Sequence, residues 1–118
     1  MKNSAQITQQ EIRIPLGEIT LEGFLVIPDG AAGIIVFAHG SGSSRFSPRN
    51  QFVADALNQE GFATLLFDLL TPDEHEIDEQ TRELRFNIGL LGNRLVGVID
   101  WMQNQEDTQK LRTGLFGA

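Results

Sequence analysis

The residues best suited to chemistry in this 118-residue chain cluster in one short run, Phe37-Ala38-His39-Gly40-Ser41-Gly42-Ser43-Ser44. The run follows an almost continuously apolar stretch, Gly33 to Ala38. It precedes Ser47-Pro48, which has the form of a helix start with serine at the N-cap and proline at the first helical position. Small residues between a buried strand and a helix let backbone N–H groups approach a ligand closely, and such groups stabilise a developing oxyanion. His39, Gly40, Ser41 and Gly42 are therefore candidate site residues. A second chemistry fits the same place: a small anion or mononucleotide held at the helix N-terminus beside Arg45 and Arg49. The glycine spacing is neither that of a P-loop nor that of a dinucleotide fold.

Other residues invite chemistry more weakly. Arg45 and Arg49 suit either a substrate carboxylate or local pairing. Asp68 closes an apolar run, Phe62 to Phe67, where both catalytic acids and loop-fixing hydrogen-bond partners stand. His75 lies among Asp73, Glu74, Glu76, Asp78 and Glu79 without regular metal-ligand spacing, so a solvated loop is expected there. No metal and no cofactor is expected. Phe86 and Trp101 fall at helical spacing and read as packing residues. Near the C-terminus, Leu115-Phe116-Gly117-Ala118 resembles a strand running into Gly-x, the opening of a Gly-x-Ser-x-Gly nucleophile elbow whose serine would come next.

These residues need a scaffold, and the hydrophobic pattern supplies one. Met1 to Gln10 is polar and reads as a loose leader before a domain over 11–118. Ile12, Ile14 and Leu16 alternate with polar neighbours, the period of a half-buried strand. Gly17-Glu18 then turns the chain into a second strand, Ile19 to Ile27, which makes a hairpin. The unbroken apolar runs 33–38 and 62–67 predict central parallel strands covered on both faces. Between them a helix is predicted from Ser47 to about Glu60, with Phe52, Val53, Ala56 and Leu57 inward and Gly61 as its C-terminal stop. Leu69 to Gln80 is predicted to be a polar loop. A second helix is expected from near Thr81, or a few residues later, to about Gln105, with Leu84, Ile88, Leu91, Leu95, Val98 and Met102 on one face. A last strand starts at Thr113. The order β-β-β-α-β-α-β predicts a doubly wound α/β sheet with an antiparallel hairpin followed by parallel strands.

Composition narrows the function classes. Sixteen acidic against nine basic residues give a net charge of −7, with no basic stripe to displace counterions, so nucleic acid is disfavoured as a partner. The chain has no cysteine, which removes disulfides, thiolate metal sites and a cysteine nucleophile. With neither a signal-like N-terminus nor a long apolar run, no membrane contact is expected and the cytoplasm is the expected location.

Taken together, several segments resemble the dienelactone-hydrolase-like α/β-hydrolases over about Ile12 to Ala118. They are His39 to Arg45 with Ser47-Pro48-Arg49-Asn50, Leu66-Phe67-Asp68-Leu69-Leu70-Thr71-Pro72, Arg85-Phe86, and Gly114 to Ala118. The resemblance implies a hydrolase of esters, lactones or similar acyl substrates, with Ser41 giving one oxyanion donor and His39 a structural part of its loop. It implies that Asp68 fixes the loop, and that the triad serine, acid and histidine all lie beyond Ala118. On that expectation the chain is the N-terminal half of such an enzyme and inactive alone. Its last strand would leave an open apolar edge through which it self-associates. The alternative is a non-catalytic binding module that uses His39 to Arg45 to hold a small anion or a protein partner.

Overall fold

A computed structural model of the chain describes residues 9–38, 45–84 and 87–117. Its elements are β1 (Gln9–Leu16), β2 (Ile19–Val26), β3 (Gly33–Ala38), α1 (Pro48–Gln59), β4 (Ala63–Phe67), α2 (Pro72–Thr81), α3 (Ile88–Gln103) and β5 (Arg112–Gly117). The hairpin forms as expected, with pairs running from Leu16–Ile19 to Gln9–Val26, so that β1 starts two residues before Glu11. Its two-residue turn sets Gly17 at φ 67°, where glycine carries no Cβ penalty. β2 pairs antiparallel with β4, and β3 lies parallel to both β4 and β5. The sheet order is β1-β2-β4-β3-β5. Close approach of β2 to β4 requires Gly23: a Cβ there would stand 2.8 Å from the Leu66 carbonyl oxygen and 2.9 Å from Phe67 Cβ.

Strand alternation sends side chains to two faces. Ile34 and Val36 of β3 and Ala63, Leu65 and Phe67 of β4 join Ile14, Leu21 and Leu25 in one buried cluster, completed by Val98 and Met102 of α3. Phe37 and Leu66, out of step by one residue, pack with Ala54 of α1 in the other, backed by Val53, Leu57 and Phe116. A helix layer on each face of a mixed sheet, antiparallel from β1 through β2 to β4 and parallel from β4 through β3 to β5, is the α/β arrangement that the sequence predicts.

Three local expectations are corrected. In α1 the buried stripe is Asn50, Ala54 and Asn58. Phe52 is 74% exposed and Ala56 is also exposed, while Val53 and Leu57 are half-buried. The rotation follows from Asn58, whose amide donates to the Phe62 carbonyl at 2.9 Å and to the Thr64 hydroxyl at 3.1 Å. A satisfied polar side chain thus occupies the seam where an apolar one was expected. The α1 termini agree with the sequence. Ser47 accepts from the Asn50 N–H, and Pro48 sits in the first turn. Gly61, at φ 92°, donates to the Asn58 carbonyl while Phe62 donates to Leu57, a Schellman stop.

Secondly, the predicted acidic loop contains α2. Thr71 caps it by accepting from the Glu74 N–H at 3.3 Å, and Glu74 accepts back from the Thr71 N–H at 2.9 Å. This reciprocal box, with Pro72 behind the cap and Asp73 and Glu74 in the first turn, holds a helix that has little apolar face. Thirdly, the long helix expected from near Thr81 or a few residues later begins only at Ile88. Arg82 ends α2 in the left-handed region at φ 60°, and Asn87 opens α3 by accepting from the Leu90 N–H. Leu91, Leu95, Val98 and Met102 face the core as predicted, whereas Ile88 is 76% exposed.

Candidate functional site

The C-terminal ends of the three parallel strands stop side by side. Phe37 pairs with both Leu66 and Phe116, and Ala38 pairs with Gly117. The chain leaves β3 for α1 on one face of the sheet, then travels from β4 to β5 by way of α3 on the other. A reversal of this kind opens a crevice at the strand ends, where open α/β sheets bind ligands. The Phe37 and Phe116 rings, 5.0 Å apart, pack in the α1-face core near the ends of these strands. His39, Gly40, Ser41, Gly42 and Ala118 lie outside the described residues, as do Arg85 and Phe86.

Asp68, the residue after β4, and Arg45 meet at this edge. The Arg45 backbone N–H donates to Asp68 Oδ1 at 2.7 Å, and its guanidinium Nη1 donates to Oδ2. Nη2 stands 3.6 Å from Glu22 Oε1. The guanidinium lies over the Phe46 and Phe24 rings, 4.4 and 5.0 Å from their centroids, and the two rings meet edge to face. Gln51 donates its side-chain amide to the Arg45 carbonyl at 3.0 Å. Arg45 is thereby fixed at main chain and side chain together, and its charge is directed to a carboxylate of the protein. Arg49, by contrast, is exposed on the first turn of α1. A hollow of about 180 Å³ beside Arg45 is lined by Glu11, Ile12, Arg13, Glu22 and Gly23. Its two carboxylates and two guanidiniums balance, which leaves no net charge to select an ion.

Sequence reasoning missed the second polar centre, Glu74 with Arg94. Arg94 is 8% exposed and points from α3 to the turn after β4. It donates from Nη1 to the Leu69 carbonyl at 2.8 Å and to Glu74 Oε1 at 2.5 Å, and from Nη2 to Glu74 Oε2 at 2.7 Å. The hydrogen bonds from Arg94 hold the Glu74 carboxyl below its ordinary value of 4.5. Partial burial opposes this, and the bonds to Thr71 reinforce it. One signal was available: Arg94 sits four residues before Val98 on the apolar stripe of the helix, and a charged residue in that place needs a buried partner. His75 is half-buried on α2, and among the described residues no cluster of three His, Cys, Asp or Glu side chains is placed to hold a metal. Trp101 is half-buried against the α3-face core.

Comparison with known proteins agrees with this architecture. The chain is similar to the crystal structure of dienelactone hydrolase from Anabaena variabilis, with 58% identity, a TM-score of 0.93, and coverage of 96% of this chain and 52% of that one. A dienelactone-hydrolase-like promiscuous phosphotriesterase from metagenomic libraries shares the fold at 16% identity and a TM-score of 0.68, over 95% of this chain and 49% of that one. Among curated proteins, the chain is 48% identical over 112 residues to a Mycobacterium tuberculosis protein provisionally named phosphoribosyl transferase, covering 95% of this chain and 24% of that protein. No protein-family model matches the chain. The chain thus has a dienelactone-hydrolase-like α/β fold, and it spans about half the length of the solved relative and about a quarter of the curated ones.

Proposed function

We propose that this chain, with its dienelactone-hydrolase-like fold, forms the oxyanion-loop half of a serine hydrolase site for esters, lactones or similar acyl substrates, within a longer protein. The observation that carries the reading is the pairing of Ala38 with Gly117. The strand that leads toward His39-Gly40-Ser41-Gly42 and the strand that ends at Gly117 finish next to each other. Two N–H donors stabilise one oxyanion only if both aim at the same point, about 3 Å from each. Adjacent parallel strands allow that, because the turn after each strand contributes one donor. In this reading the first donor is the Ser41 N–H. The second is the N–H of the residue after a serine that follows Ala118.

The steps balance without metal or cofactor. The serine hydroxyl loses its proton to a histidine as its oxygen bonds to the acyl carbon, and the carbonyl electrons move to oxygen, where the Ser41 N–H shares the charge. Collapse expels the alcohol, which takes the proton from the histidine; water then repeats the sequence and releases the acid. Asp68, already bound twice to Arg45, serves as a positioning residue for the start of α1 and not as the triad acid. In this reading the serine, the histidine and the acid belong to the longer protein, and the 118 residues alone are expected not to run this sequence. The fold and the 58% identity to a dienelactone hydrolase support the acyl substrate class. The transferase name belongs to proteins of which this chain matches 24% of the length.

The test compares the open reading frame of the source, expressed from Met1 to its stop codon, with the 118 residues alone, using p-nitrophenyl acetate and a simple aryl lactone. The longer protein is expected to hydrolyse both and to lose about 10³-fold or more when the serine after Ala118 becomes alanine. Ser41→Pro, which removes the N–H, is expected to lower kcat about 10²-fold. Turnover by the 118 residues alone, or a longer protein inert towards every acyl ester but binding small anions through His39 to Arg45, would overturn the reading. The second outcome would favour a binding module.

A further inference from the structure

We infer that Arg94 is a positioning residue for the clamp between Asp68 and Arg45, acting through the main chain of the turn after β4. The inference rests on the proposed function only for what the clamp is for; the geometry stands without it. Arg94 occupies the sheet-facing stripe of α3 with Val98 and Met102, a place an apolar side chain would fill with less desolvation. Its three hydrogen bonds all converge on the four-residue connection Asp68-Leu69-Leu70-Thr71 and on the helix cap that follows.

That connection is pinned at three successive points. The Asp68 N–H donates to the Glu22 carbonyl at 3.0 Å, the Leu69 carbonyl accepts from Arg94, and the Thr71 N–H donates to Glu74 Oε1. Glu74 Oε1 receives both Thr71 and Arg94, so the cap of α2 and the guanidinium from α3 share one oxygen. The Asp68 side chain leaves this fixed backbone to accept both Arg45 bonds. Leu69 and Leu70 are both buried, so no water replaces Arg94 at the Leu69 carbonyl without opening the turn. The arrangement thus connects the helix layer on one face of the sheet to the residue that begins the α1 approach on the other.

The Arg45 amide, hydrogen-bonded to Asp68, is the natural reporter. Amide hydrogen exchange is followed by NMR in the full-length protein for Arg94→Lys, Glu74→Gln and Asp68→Asn. Arg94→Lys keeps the charge but loses the fork, and Glu74→Gln keeps an acceptor for the cap. Both are expected to speed exchange at the Arg45 amide about tenfold while Val36 and Leu65 in the core strands are unchanged. Combining Arg94→Lys with Asp68→Asn is expected to add nothing at Arg45 beyond Asp68→Asn alone, because both act along one path. An unchanged Arg45 amide, a uniform rise across the core, or full additivity would overturn the inference. Because exchange needs no turnover, the inference can stand if no acyl ester is hydrolysed, and it can fail while hydrolysis is found.

Discussion

At the residue scale the site edge is organised by two carboxylate–guanidinium contacts. Asp68 holds Arg45, 23 residues away, and Glu74 holds Arg94, 20 residues away. Replacing Asp68 by alanine would leave an enclosed guanidinium whose ion-pair partner among the described residues is Glu22 at 3.6 Å. The expected loss is about 2 kcal/mol, below that of a fully buried pair, and read from the urea midpoint at constant slope. A loss within a few tenths would show that solvent satisfies Arg45 equally well. Glu74 gives a pH signature. Its folded pKa is depressed, so its contribution is fully present above the unfolded value of 4.5 and disappears as pH falls through the folded value. Wild-type stability should therefore decline on acidification below that point more steeply than the stability of Glu74→Gln; parallel pH curves would contradict the pairing. Position in the sequence identified Asp68 and Arg45 as candidates, because strand ends and loop ends are where sites gather. Their partnership was not legible, since no local pattern pairs two residues 23 apart in the chain; it forms where Arg45, just ahead of α1, meets the end of β4. Arg94 was not legible as buried, because a charged residue on an amphipathic helix ordinarily faces solvent and its partner Glu74 lies on another helix.

At the element scale, legibility followed the source of each element's stability. β3, β4 and the two termini of α1 rest on apolar runs and on Ser-Pro and Gly signals, all local, and they were predicted within a residue or two. α2 rests on Thr71 and Glu74 instead. Its acidic, polar composition gave no hydrophobic period, although Thr-Pro-Asp-Glu carries both the spacing of a capping box and a proline at the favoured place. Thr71→Ala is expected to cost about 1 kcal/mol and to lower helical ellipticity through loss of α2; an unchanged melting curve would mean that Arg94 alone holds Glu74. Gly23 makes the opposite point. It reads as an ordinary strand residue, and only the sheet shows a neighbouring backbone within 2.8 Å of its missing Cβ. Gly23→Ala should destabilise the chain by about 1–3 kcal/mol by pushing β2 from β4, measured as a fall in Tm. A neutral substitution would mean that the two strands separate easily.

For the whole molecule, sheet order explains why the proposed site lies where it does. β3 sits between β4 and β5, so both βα connections begin from one edge of the sheet, on opposite faces. The two outer strands differ. β1 presents Glu11, Arg13 and Pro15, residues that discourage edge pairing, whereas β5 presents Leu115, which is 57% exposed. We propose that the 118 residues alone self-associate through β5, and that Leu115→Lys reduces the association. Light scattering showing a monodisperse monomer at high concentration would remove that proposal. The net charge of −7 does not prevent such contact, because backbone pairing at an edge is local and charge repulsion is screened beyond about 8 Å at physiological salt. The central claim, half of a serine hydrolase site, is tested most directly by reading the coding sequence of the source past the codon for Ala118. Ser-Xaa-Gly is expected immediately after it, followed by a long open frame containing an acid and a histidine for the triad. A stop codon at that position, or any residue but serine, would contradict it.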